Sequence, residues 1–162
     1  MASYKVVGKN QDGKYFDGNS YHDVIAYCLR PEKAVHGYVG SRALNLSNAA
    51  NEMETVARVY HNDKQVRLRH SVISFDEGDH ITAAQAAEIA EQAVRYFGDQ
   101  YQILYSVHED AAHIHAHIVM NQVSFQNGLK YKGTKKQHYD FVNYMKRVVA
   151  PYGIPFFPVS DD

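Results

Sequence analysis

Four of the ten histidines fall within ten residues, in His108-Glu-Asp-Ala-Ala-His113-Ile-His115-Ala-His117-Ile-Val-Met-Asn121. His113, His115 and His117 alternate with Ile114, Ala116 and Ile118, so a β-strand here sets the imidazoles on one face and the apolar groups on the other. Burying imidazoles is costly unless something coordinates or hydrogen-bonds them. Three neutral imidazoles reaching one point, with a position left for water or substrate, make a catalytic rather than a structural metal site. The thiolate ligands of a zinc finger are absent, because Cys28 is the single cysteine. This donor set admits Mn²⁺, Mg²⁺, Zn²⁺ or Ni²⁺ and does not choose among them. Asp110 reads either as the acceptor that orients a ligating imidazole or as an ordinary turn residue, and both stay open. His22, His36, His61, His80 and His138 have no comparable spacing, and His70, mid-strand, reads as a core or supporting group.

Positioning these groups requires a sheet. Tyr101-Gln-Ile-Leu-Tyr-Ser-Val-His108 reads as a strand, and Glu109 to Ala112 as a short connection back into the histidine strand, with His108 facing His113. Arg67 to Phe75 alternates as a further strand, and Ser3 to Val7 and Lys14-Tyr-Phe16 as shorter extended pieces. Asn127-Gly128 is a hairpin signal with Leu129 to Tyr131 returning. Ser20 is a plausible N-cap for a helix in which Val24, Ile25, Cys28 and Leu29 recur at helical spacing until Arg30-Pro31 stops it. Ala34 to Ser41, rich in glycine, reads as irregular. Ser47 or Asn48 opens a second helix, with Met53, Val56, Ala57 and Tyr60 on one side. Thr82 with Gln85 makes a capping box for an Ala-rich helix through Phe97, closed by Gly98. Tyr139 to Val149 is an amphipathic helix ending at Pro151. Mixed strands and helices with tight-turn connections give an α+β fold, an antiparallel central sheet covered by helices.

At 162 residues the chain is long enough for one domain with a real core. Its formal net charge of -1 argues against a broadly basic nucleic-acid coat. No stretch approaches the roughly 20 apolar residues of a membrane span, and the lone cysteine fits a reducing compartment, so the expected location is cytoplasmic. Apolar groups in Pro155-Phe-Phe-Pro-Val-Ser-Asp-Asp162 point to a domain, 1–162, that forms the N-terminal part of a longer protein.

The run from His108 through Asp110, His113, His115 and His117 to Asn121 resembles the third motif of the relaxase/mobilisation nucleases. These are DNA-nicking enzymes of conjugative and mobilisable elements, within the wider histidine-hydrophobe-histidine (HUH) endonucleases. Val24-Ile-Ala-Tyr27-Cys-Leu-Arg-Pro-Glu-Lys33 resembles that family's tyrosine motif, and His70-Ser-Val-Ile-Ser-Phe75 its second motif. The resemblance covers about residues 20 to 153. Ala116 stands where the family usually has a bulkier hydrophobe.

This resemblance implies an HUH endonuclease-like fold and a divalent ion, Mn²⁺ or Mg²⁺ first, held by His108, His115 and His117, with His113 accessory. It implies Tyr27 as the nucleophile that forms a covalent 5′-phosphotyrosine while nicking single-stranded DNA at an origin of transfer, with accessory mobilisation proteins as further partners. Tyr21, earlier on the same helix, is the fallback nucleophile. Candidate DNA-backbone contacts are Arg30, Lys33, Arg42, Lys130, Lys132, Lys135 and Lys136, with Tyr131 or Tyr139 for base stacking. Two other readings remain: a metal-dependent hydrolase that activates water with Asp110 or Glu109 as base, and a non-catalytic metal- or DNA-binding module.

Overall fold

His113 to Asn121 form an interior strand, hydrogen-bonded along both edges. The computed structural model describes residues 1–7, 19–31, 33–110 and 113–159, apart from the side chains of Val35, His36 and Asp110. In chain order the elements are β1 (Ala2–Val7), α1 (Ser20–Leu29), β2 (Ala34–Arg42), α2 (Ala49–Val59), β3 (Leu68–Phe75), α3 (Ala83–Phe97), β4 (Ile103–Asp110), β5 (His113–Asn121), α4 (Lys135–Val149) and β6 (Phe156–Pro158). The expected strand at Lys14 to Phe16 lies outside the described residues.

The strands form one sheet in the order β2-β4-β5-β3-β1-β6. β3 pairs antiparallel with β1 and β5, and β4 does so with β2 and β5. β6 joins the edge parallel to β1, so the sheet is mixed. Alternation sends Ile103, Tyr105, Val107, Ala116, Ile118 and Met120 to a core shared with α3 and α4. Leu104, Val119 and Leu68 go to the other face, under Tyr21, Val24, Ile25 and Cys28 of α1 and Met53 and Ala57 of α2. The α1 residues follow an i, i+3, i+4, i+7 stripe, the period that lays one helical face on a sheet. Two helices on each face make an α+β sandwich, and the histidines share the face with α1 and α2.

Caps set several boundaries. Thr82 Oγ1 accepts from the Gln85 N–H at 3.1 Å while Gln85 Oε1 accepts from the Thr82 N–H, the expected capping box. The same device, Thr134 with Gln137, starts α4 at Lys135, earlier than its apolar periodicity indicates. Asn19, not Ser20, occupies the N-cap position of α1, and Asn48 that of α2.

Three expectations are corrected. Ala34 to Ser41 is not irregular but the body of β2. Its glycines serve the strand: Gly37 takes φ 85 where the register slips between Ala34 and Val39. A Cβ on Gly40 would lie 2.5 Å from the Tyr105 ring. Leu129 to Tyr131 does not return as a strand, and only an isolated bridge joins Val123 to Lys130. Gly128, at φ 75, instead docks the turn on the end of α2, its carbonyl accepting from Asn62 Nδ2 at 2.8 Å. His108 faces His115 rather than His113, because β4 continues to Asp110, which itself pairs with His113. A slip of two residues keeps every imidazole on its face.

Candidate active site

His108 and His115 are directly opposite across β4 and β5, and His117 follows on the same face. Ring centroids are 4.1 Å apart for His108 and His117, 5.2 Å for His115 and His117, and 5.6 Å for His108 and His115. One donor atom from each lies within 4.8 Å of the others, so the three could hold a metal ion. His108 and His117 are buried and His115 is half-buried, leaving one side of the cluster toward solvent. His113 is exposed at the rim, its ring 5.6 Å from that of His115.

The hydrogen bonds restrict the tautomers. His108 Nε2 donates to the Cys28 carbonyl at 2.6 Å. Carbonyls in the last turn of a helix have no intrahelical donor, and this one is satisfied by the imidazole. In the neutral ring the lone pair is then on Nδ1. His117 Nδ1 lies 2.8 Å from His70 Nε2. When His117 Nδ1 carries the shared proton, its lone pair is on Nε2, the nitrogen turned away from His70. Burial first, then the neighbouring His70, His108, His115 and Arg30, push the His117 pKa down to about 2. The ring is therefore neutral at physiological pH, as a metal ligand must be.

The helix stop set by Arg30-Pro31 places Tyr27 here. Arg30 is extended at φ -57, ψ 131, as a residue before proline prefers. Tyr27 sits off the buried stripe of α1, 40% exposed, with its ring edge-on to His117 at 6.1 Å. The Arg30 guanidinium lies 4.0 Å over the Tyr27 ring, and its buried Nε has no hydrogen-bond partner among the described residues. Tyr21 is different: it is fully buried, and its hydroxyl donates to Asn121 Oδ1 at 3.1 Å. Burial pushes its pKa up, which suits packing rather than attack.

The remaining candidates divide. Lys33 adjoins Ala34, which pairs with His108, so Lys33 and Arg30 are at the histidine end of the sheet. Arg42 pairs with Ile103, five residues along β4 and roughly 17 Å away at strand spacing. Lys130 bridges to Val123, beyond the far end of β5, and contacts the Lys64 carbonyl. Lys132 is exposed on the following loop. Lys135 and Lys136 begin α4 on the opposite face, where Lys136 pairs with Asp140 at 2.7 Å. Tyr131 is buried among Phe97 and Tyr101, which removes it as a stacking platform, whereas Tyr139 is exposed on α4. Glu109 alternates to the face away from the histidines. The side chain of Asp110 lies outside the described residues.

Two residues had a larger part than their sequence suggested. His70 reaches His117 diagonally across β3 and β5. Asn121 is fully buried, accepts from Tyr21 Oη and the Val123 N–H, and donates to the Met53 carbonyl and Gln102 Oε1. It ties both helices of this face to the histidine strand. Its place at the end of the histidine motif was the available signal.

A sheet that lines up a His-Ala-His pair with a third histidine, under a helix bearing an exposed tyrosine, defines an HUH endonuclease-like domain. Residues 27–154 match the family described as relaxase, MobA/VirD2-like, nuclease domain, and the chain belongs to it. A protein named Protein rlx from Staphylococcus aureus is 36% identical over 74 residues, 45% of this chain and 22% of the relative. A second S. aureus protein of that name is 35% identical over 69 residues, 42% of this chain and 22% of that relative. The match therefore spans about a fifth of those relatives' length. Among the described residues no helix is long and apolar enough to cross a membrane.

Proposed function

We propose that this chain is the nicking domain of a mobilisation relaxase, cutting one strand of single-stranded DNA at an origin of transfer through a covalent tyrosine intermediate. The observation that carries the reading is the exposed Tyr27 ring standing 6.1 Å from His117, within a cluster of three histidines that could hold a metal. His108, His115 and His117 would hold a divalent ion, Mn²⁺ or Mg²⁺ first. Once bound, that ion draws charge from a nonbridging oxygen of the scissile phosphate. Tyr27 Oη attacks phosphorus: the new O–P bond forms as the bond to the 3′-oxygen breaks. The phenol proton passes to solvent, and the departing oxygen takes up a proton to become a 3′-hydroxyl. The phosphoester is conserved, so a 3′-hydroxyl can reverse the step.

His70 orients His117 by accepting its Nδ1 proton. Arg30, stacked on Tyr27, offers its guanidinium to the phosphate and holds the phenol ring in place. Lys33 extends this positive edge, so the strand enters from the α1–β2 side, while His113 contacts substrate at the rim.

The test uses single-stranded oligonucleotides tiled across the DNA flanking the gene. With Mn²⁺ one oligonucleotide is cut at a single position, and cutting is lost in chelator and in His115→Ala. Cutting undiminished by both treatments would overturn the proposal.

A further inference from the structure

On the β3 side of His117 a second group of donors meets. Cys28 Sγ lies 3.5 Å from His70 Nε2, which is itself 2.8 Å from His117 Nδ1. All three residues are buried, and their donor atoms fall within 4.8 Å of one another. Zinc–sulfur and zinc–nitrogen bonds of about 2.3 and 2.05 Å at a tetrahedral angle separate the two ligand atoms by about 3.6 Å. The Cys28–His70 distance already matches. Two nitrogen ligands would be about 3.3 Å apart, so His70 and His117 need to part by roughly half an ångström.

We propose that Cys28, His70 and His117 form a second, thiolate-containing metal site for a soft divalent ion such as zinc or cadmium, and that its occupancy excludes the ion of the three-histidine cluster. A thiolate beside two imidazoles selects soft or borderline ions over Mg²⁺ and Mn²⁺. As the Sγ–metal bond forms, the thiol proton leaves to solvent. A neutral imidazole has one lone pair. For His117 to bind through Nδ1, its proton must move to Nε2, which can then no longer serve the three-histidine cluster. The same ion would grip α1 at Cys28, next to Tyr27. Each metal therefore works against the other through one shared ring. Only this antagonism rests on the three-histidine reading, since the second site stands on its own donors.

The chelator-treated chain is titrated with Cd²⁺, following the ultraviolet thiolate-to-cadmium charge-transfer band and the displacement of prebound Mn²⁺. Wild type gives a band that saturates at one equivalent and releases Mn²⁺ in step. Cys28→Ser abolishes the band, His70→Ala weakens it at least tenfold, and His115→Ala, outside the group, retains it. Circular dichroism checks each variant's fold, and the His70 and His115 pair carries the test should Cys28→Ser fail to fold. No band in wild type, or equal bands in His70→Ala and wild type, would overturn the site. Equal Mn²⁺ release in wild type and Cys28→Ser would overturn the antagonism. A chain that shows the band but never binds Mn²⁺ would instead refute the three-histidine reading and leave the second site standing.

Discussion

His70 Nε2 and His117 Nδ1 are 2.8 Å apart, with their rings stacked at a centroid distance of 5.1 Å. This contact fixes which nitrogen of His117 faces the cluster. Groups that orient a ligating imidazole typically contribute 10–100-fold to metal affinity. His70→Ala is therefore expected to weaken Mn²⁺ binding by about that range in calorimetric titration. His70→Gln, whose Oε1 can occupy the place of Nε2, restores part of it. Equal affinities for all three proteins would show that His117 needs no such partner.

The depressed pKa of His117 has a consequence for stability. Its folded-state value of about 2 lies below the ordinary 6.5, so the unfolded chain binds the proton more readily. Stability from this group is whole above pH 6.5 and is lost as the pH falls from there toward 2, by up to about 1.4 kcal/mol per pH unit. Urea denaturation of the metal-free chain between pH 7 and 4 measures this slope, and His117→Gln should flatten it. An unchanged slope in the variant would assign the acid sensitivity elsewhere.

Local chemistry made part of this architecture legible. The alternation of β5, the Thr82–Gln85 box and the Arg30–Pro31 stop each act within a few residues, so their outcome is written beside them. The His70–His117 contact depends on β3 lying next to β5 in the sheet order, which no local pattern contains. The glycine content of β2 suggests irregularity, whereas Gly40 is required by the close approach of Tyr105. In the histidine hairpin β4 ends two residues later than expected, and the two-residue slip left the face assignment intact because side chains alternate with period two.

The Asn121 side chain makes four hydrogen bonds in a fully buried setting. Tyr21→Phe removes one of them and should cost about 1 kcal/mol. Asn121→Ala strands several buried groups at once, at about 3 kcal/mol or more. Denaturant midpoints compare the two. Equal losses would mean that Asn121 matters only through Tyr21.

Arg30 and Arg42 were equivalent as sequence candidates, yet only Arg30 lies against Tyr27. Arg30→Ala is expected to slow adduct formation on single-stranded DNA at least tenfold, with Arg30→Lys intermediate because it lacks the planar fork. Arg42→Ala should stay within twofold of wild type. Matched losses in single-turnover gels would point to general charge rather than placement.

The most direct measurement is peptide mass spectrometry of the chain after incubation with Mn²⁺ and the oligonucleotide that it cuts. The nucleotide adduct is expected on the peptide carrying Tyr27, through a phosphotyrosine linkage, and is expected to vanish in Tyr27→Phe. An adduct on Tyr21 or another residue, or DNA cleavage by Tyr27→Phe with no adduct at all, would contradict the account.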